Sequence, residues 1–392
     1  MSGVRTQLRA ERAARRRAAR RRAMVVAASA VVAAAAAAGA AGVLAQTSAD
    51  DEKKRAAPSV TKATVPAPLP AVPSATPTRP RPSASPSRAP APSPSVAPGR
   101  ARNDTAPAVL YRHPESQVLD WVRAHHSDPR RTVIESRIAA RPSAVWFTEY
   151  DPGAVTGRVR SVTSAAAAVN RTAVLVAYAI PDRDCGGASE GGAPDLGAYD
   201  GWVREFAAGL GDKPVLVILE PDSIAQADCL SAEQRSARFA ALGRAARTMK
   251  AANPRAKVYF DAGHSGWRPA AEQAAALRSA QAGTSGDGIF TNVSNFHSTA
   301  DEVAYARRVL AALGGRPGLG AVIDTSRNGN GAPPAGQWCD PAGRAIGRAP
   351  TTDTGEAGID AYLWVKLPGE SDGCKGDAGS FTPDYAYELA TG

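Results

Sequence analysis

The chain has 392 residues and a formal net charge of +10, but the charge is not evenly shared. Residues 1 to 105 carry 18 Lys and Arg against 5 Asp and Glu, whereas residues 106 to 392 carry 29 against 32, a net of −3. The basic excess therefore gives no warrant for nucleic-acid binding by the part long enough to fold, and that part suits one large domain with a full core.

In chain order, residues 1 to 22 hold nine arginines and one glutamate, and residues 23–45 are uncharged and rich in Ala and Val. A basic stretch, an apolar stretch and then polar residues is the order of an export signal. The apolar run is also long enough to cross a bilayer, so 1–45 is read as a signal peptide or signal anchor, with the remainder outside the cell, secreted or tethered to the outer face of the membrane. Residues 46–105, with "APLPAVPSATPTRPRPSASPSRAPAPSPS", cannot bury enough apolar surface to fold and read as an extended linker or stalk. Residues 106–392 form the expected folded domain.

Seven β-prone runs follow, at 144–147, 172–180, 214–220, 257–263, 288–294, 320–326 and 361–366. Helical patterns lie between them at 154–170, 198–210, 231–252, 269–281 and 299–313. Most of the runs are continuously apolar, as strands covered on both faces are. Strand–helix alternation predicts an α/β fold with a parallel sheet, and seven repeats suit a closed, TIM-like barrel better than an open sheet. Trp121 and Trp202 lie in amphipathic helices and read as core. One long Gly/Pro-rich span, 326–360, is a candidate functional loop. Four cysteines in an exported domain imply two disulfides whose pairing the spacing does not choose, and no metal-ligand spacing is present.

In parallel α/β architectures the site lies at the C-terminal ends of the strands. Five of those ends carry acid: Asp182 and Asp184, Glu220 and Asp222, Asp261, Asp324, and Glu370 and Asp372. His264, Trp267, Trp338 and Lys366 are close by in sequence. Crowded carboxylates with aromatic platforms, and no phosphate or metal motif, point to glycoside hydrolysis. That chemistry needs one carboxyl kept protonated for the leaving oxygen and a second carboxylate to activate water or attack carbon. Crowding supplies the first, since one ionised acid raises its neighbour's pKa. A lone strand-end Asp is more often a loop anchor, and Asp182, Asp324 and Glu220 are read that way. No G-x-S-x-G elbow or Ser-His-Asp set stands out.

The stretches "VAYAIPDRDCGG", "VLVILEPDSIA", "VYFDAGHSGW", "TNVSN", "VIDTSRNGNG", "QWCDPAGRAIG" and "LWVKLPGESDGC" together resemble glycoside hydrolase family 6, over residues 107 to the end. The resemblance implies a distorted seven-stranded parallel (β/α) barrel and inverting hydrolysis of β-1,4-glucosidic bonds without a cofactor or a metal. It makes Asp222 the general acid, Asp372 the candidate general base, directly or through water, and Asp184 the group that raises the acid's pKa. Tyr178 stands where the reacting sugar is distorted. Sugar-binding positions carry over to Trp146, His264, Trp267, Asn295, Trp338, Lys366 and Glu370. Asp261 is counted with them, and so is Ser189, whose place Glu190 could also fill. The resemblance pairs Cys185 with Cys229 and Cys339 with Cys374.

An inverting enzyme predicts Asp222 and Asp372 about 6.5–9.5 Å apart or more, with water between them. The loops after Asp184 and Asp372 are short, so an open cleft and an endoglucanase are expected. An exo-acting cellobiohydrolase of the same family and an inactive wall-tethered glucan binder are the alternatives. The intact acid argues against the latter. The expected partner is a β-1,4-glucan, met by a monomer.

Overall fold

The computed structural model describes residues 107–187 and 189–392. The signal or anchor segment 1–45 and the linker 46–105 lie outside the described residues.

Seven strands pair in the order in which they occur: β1 (Val145–Phe147), β2 (Ala173–Ala177), β3 (Val215–Leu219), β4 (Ala256–Asp261), β5 (Gly288–Thr291), β6 (Gly320–Asp324) and β7 (Ile359–Leu363). Every pair is parallel. The five helices expected between strands form at Val155–Ala168, Leu196–Ala208, Ala232–Ala252, Ala270–Ser279 and Thr299–Leu313. Ser231 starts the longest with a capping box, accepting from the Gln234 N–H while the Gln234 side chain accepts from the Ser231 N–H.

Strand periodicity divides the core in two. Val174 and Val176 of β2, Leu216 and Ile218 of β3, Tyr259, Phe290, Val322 and Leu363 share the inner face. Their sequence neighbours Leu175, Ala177, Val217, Leu219, Phe260, Ile289 and Ile323 face the helices and pack on Val159, Phe206, Leu242, Met249 and Val309. Both faces are dry, so the strands read as unbroken apolar runs. Truncating an inner residue such as Ile218 to Ala would cost about 2–5 kcal/mol.

The sheet curls almost shut. No ladder joins β1 to β7, but Ala144 N–H donates to Trp364 O at 2.9 Å and Trp146 Nε1 to Val365 O at 2.7 Å. At the other end of the barrel Leu110 bridges to Thr172 and joins the inner cluster. The barrel is therefore distorted at this one seam.

The expected strand ends run past the paired residues. β2 stops pairing at Ala177 although "YAI" continues it, because the amides of Ala179 and Ile180 are taken by the Glu220 carboxylate at 2.9 and 3.0 Å. A side chain has replaced a strand as the acceptor. The same substitution recurs around the mouth.

Candidate active site

Strands that splay at their C-terminal ends leave amides without a ladder partner, and a buried amide must find an acceptor. Here the acceptors are the strand-end acids. Glu220, fully buried, accepts from Ala179 and Ile180 of the β2 loop. Asp261 accepts from Ile224 and Ala225 of the β3 loop through Oδ2 and from Gly263 through Oδ1. Asp324 accepts from Ser294 and Ser326, and from Val365 and Lys366 beyond β7. Three of the crowded acids thus stitch neighbouring loops together. Asp261, expected to meet sugar, is 2% exposed, and both its oxygens accept from amides.

The loops so held are bent. Asp182, Asp184, Cys185, Glu220, Asp222, Asn292, Ser294 and Asp340 all have positive φ, and all lie beyond strand ends on this face. Short polar side chains tolerate that region best, at about 1–2 kcal/mol each. The carboxylate stitches offset the strain.

Asp222 is the exception among the acids. Its side chain has no hydrogen-bond partner among the described residues, and it is half-buried. Burial, then the charges of Asp261 and Asp184, push its carboxyl up to about 8, against the pull of Lys366. Asp261, with three N–H donors, is the better home for the negative charge, so Asp222 keeps the proton.

Beside it the β2 loop is ordered by short bonds. Ser189 donates to Asp184 Oδ2 from N and Oγ at 2.8 and 2.9 Å, and its hydroxyl meets Tyr178 OH at 2.8 Å. Of the two residues expected at this position, Ser189 lies between the tyrosine and the acid. Arg183 lies 4.6 Å over the Tyr178 ring and binds the Ser189 carbonyl. Two glycines fit where side chains cannot. A Cβ on Gly187 would stand 2.6 Å from Asp184 Oδ2, and one on Gly192, at φ +103°, 1.9 Å from Ile180 O.

Asp372 is the opposite of Asp222. Burial alone would push its carboxyl up, but the fully buried Arg327 and Lys366 override it and hold it down at about 2. Arg327 Nη1 donates to Oδ2 at 2.8 Å and Lys366 Nζ to Oδ1 at 2.6 Å. Asp340 N–H adds a third donor at 3.0 Å. Lys366, expected to meet sugar, is spent on this carboxylate.

The remaining positions line the mouth unevenly. Trp146 stands edge-on to Tyr178 at 5.3 Å, and Trp338 is 60% exposed. His264 stacks on His297 at 4.2 Å and leans on Trp267 at 5.2 Å. Burial and the His297 charge push His264 down to about 4, so it is neutral at working pH. Glu302, buried on the helix Thr299–Leu313, holds this turn by accepting from Ser265 N–H at 2.8 Å. Asn295 donates to Val293 O at 3.1 Å. Glu370 accepts from Gln117, and burial pushes it up to about 7. Arg183, His297, Glu302, Arg327 and Asp340 escaped the sequence reading; for Glu302, Arg327 and Asp340 the reason is that their partners are tens of positions away and nothing local marks them.

Both disulfides form as paired above, Cys185–Cys229 and Cys339–Cys374. The first ties the Asp184 loop to the one after Asp222, and the second ties Trp338 and Asp340 to the loop after Asp372. That last loop folds back on itself, with Ser371 and Ser380 bonded and Glu370 bridged to Phe381. The β2 loop also doubles back, bridging Arg183 to Gly191.

Comparison with known proteins gives a consistent result. The family model described as Glycosyl hydrolases family 6 matches residues 105–391. The chain is 53% identical to Endoglucanase 1 of Streptomyces sp. (strain KSM-9), over 72% of this chain and 78% of that protein. It is 51% identical to Endoglucanase A of Thermobispora bispora, over 72% of this chain and 61% of the other. Among solved structures it is similar to the endoglucanase Cel6 of Mycobacterium tuberculosis in complex with methyl-cellobiosyl-4-deoxy-4-thio-β-D-cellobioside. There the TM-score is 0.68 at 40% identity, covering 73% of this chain and 97% of that one.

Proposed function

The chain belongs to glycosyl hydrolases family 6, and from that premise we propose that residues 106–392 cut internal β-1,4-glucosidic bonds of cellulose and related glucans with inversion at the anomeric carbon. Asp222 gives its proton to the glycosidic oxygen as the C1–O bond breaks. Water attacks C1 from the opposite face, and its proton leaves towards Asp372. What carries the reading is the contrast between the two carboxyls: one is unpartnered and pushed up to about 8, the other is ion-paired and held at about 2.

A carboxylate with so low a pKa, and with three donors on its two oxygens, is a weak base for direct proton abstraction. Asp372 is therefore read as the far end of a water relay and as the fixed negative charge facing the developing oxocarbenium ion. Tyr178, with Ser189 and Asp184, crowds the reacting sugar. Trp146, Trp267 and Trp338 stack on flanking sugars, with His264 and Asn295 at their edges.

Both loops are short and fold back on themselves, which supports an open mouth, mid-chain binding and endo action. The N-terminal 45 residues export the domain and hold it on a Pro-rich stalk or release it. The test is product analysis on cellohexaose with the new anomeric centre followed by NMR. The α-anomer first, with a steep viscosity fall on a soluble cellulose derivative per reducing end formed, is the expected result. The β-anomer first would refute inversion, and cellobiose release without a viscosity fall would refute endo action.

A further inference from the structure

Asp340, in the long loop between β6 and β7, has no role in the reaction as set out above. Its side chain is fully buried, and its carboxylate accepts four hydrogen bonds. Oδ1 accepts from Asp372 N–H at 2.7 Å, and Asp340 N–H donates back to Asp372 Oδ2 at 3.0 Å, so the two aspartates hold each other reciprocally. Oδ2 accepts from Ser371 Oγ at 2.6 Å, Cys374 N–H at 3.0 Å and Lys375 N–H at 2.9 Å. Arg327, the cation that pairs with Asp372 at 2.8 Å, lies 3.9 Å from Asp340 Oδ1.

One carboxylate thus collects the amide of Asp372, the two amides of Cys374 and Lys375 beyond it and the Ser371 hydroxyl before it, and lies near its counter-ion. The Cys339–Cys374 bond closes the same loop, one residue from Asp340 and two from Asp372, but it fixes only the distance between two backbones. The direction of the Asp372 carboxyl is set by the hydrogen bonds. We propose that Asp340 is a positioning residue for Asp372, aiming its carboxylate at the water side of the scissile bond. The proposal rests on the reading of Asp372 as the group that takes the water proton. Only a carboxylate fits the position. An asparagine would keep an acceptor for Asp372 N–H but turn an NH2 group onto two amide donors that cannot reverse.

The experiment is a double-mutant cycle on the full chain with cellohexaose: wild type, Asp340→Asn, Asp372→Ala and the pair, each with a thermal melt. Asp340→Asn is expected to lower kcat about a hundredfold, the effect of displacing a reacting group by about 1 Å, with KM within about twofold. In the Asp372→Ala background the same change should alter kcat less than about twofold, because the group it positions is gone. An equal loss in both backgrounds, or a loss confined to KM through the adjacent Trp338, overturns the proposal alone. Wild-type turnover by Asp372→Ala overturns both the proposal and the reading beneath it. If Asp340→Asn does not fold, Ser371→Ala removes one donor to the same carboxylate with the disulfide intact, and the same cycle applies with a loss of about tenfold.

Discussion

Replacing Asp261 by Asn separates charge from burial as the cause of the Asp222 proton. Asp261 holds Ile224 and Ala225 through one oxygen and Gly263 through the other. An asparagine that keeps its carbonyl on the first pair turns its NH2 onto Gly263 N–H. One hydrogen bond becomes a donor–donor contact, costing about 1–3 kcal/mol of stability. The charge effect is distinct from that cost. Two unit charges held about 5–10 Å apart at an effective dielectric near 20 interact by about 2–3 kcal/mol. Solvent at the open mouth screens roughly half of it, leaving about one pKa unit. Asp222 acts protonated, so activity falls as pH rises through its pKa. The alkaline limb of kcat/KM is expected near pH 8 in the native chain and about one unit lower in the variant. The assay is the pH profile on cellohexaose, with a melt to show that the variant is folded. An unmoved alkaline limb in a folded variant would refute the argument, and so would an upward shift.

The other expectations concern the acid itself, the pH dependence of folding and the disulfides. Asp222→Asn should lower kcat by about 10²–10⁴ without lowering the melting temperature, since no hydrogen bond of the native fold is lost and the penalty for burying an acid is removed; normal turnover would exclude Asp222 as the acid. Glu220 and Asp222 have folded pKa values raised to about 7 and about 8, so their contribution to stability is full below about pH 4 and lost as pH rises through those values. Asp372 works in the opposite sense, losing its contribution only as pH falls through about 2. Calorimetry should therefore find the melting temperature highest near about pH 4–5 and falling towards pH 8, whereas a steady rise over that range would contradict the sign. Replacing both Cys185 and Cys229 by Ser opens a loop with a sequence separation of 44 residues, which in the chain-entropy model removes about 4 kcal/mol. Urea unfolding should register that loss, and an unchanged midpoint would show that the hydrogen bonds alone fix the loop.

Much of the molecule was legible in the linear chain, and the reason is local. Runs such as "VLVIL" are apolar on both faces because both faces of the sheet are covered, and all seven were found in order. The strand-end acids were visible too, since splayed ends must present polar groups. The seam between β1 and β7 was not, because it depends on how far the sheet curls. Two cysteine pairs were resolved by resemblance to a family, where spacing alone left three pairings open.

What the sequence determined by itself is therefore the layout: a parallel barrel whose acids gather at one mouth. Which acid does what was decided only by tertiary contact. Glu220 and Asp222 are two residues apart on one turn, yet Glu220 bonds to amides some 40 positions back and Asp222 bonds to none. Asp222 and Asp372 are the same residue type, yet one lies among other carboxylates and the other against Arg327 and Lys366. A carboxyl group's pKa is the sum of its burial, its donors and its neighbours' charges. Those neighbours come from strands that only the closed fold brings side by side.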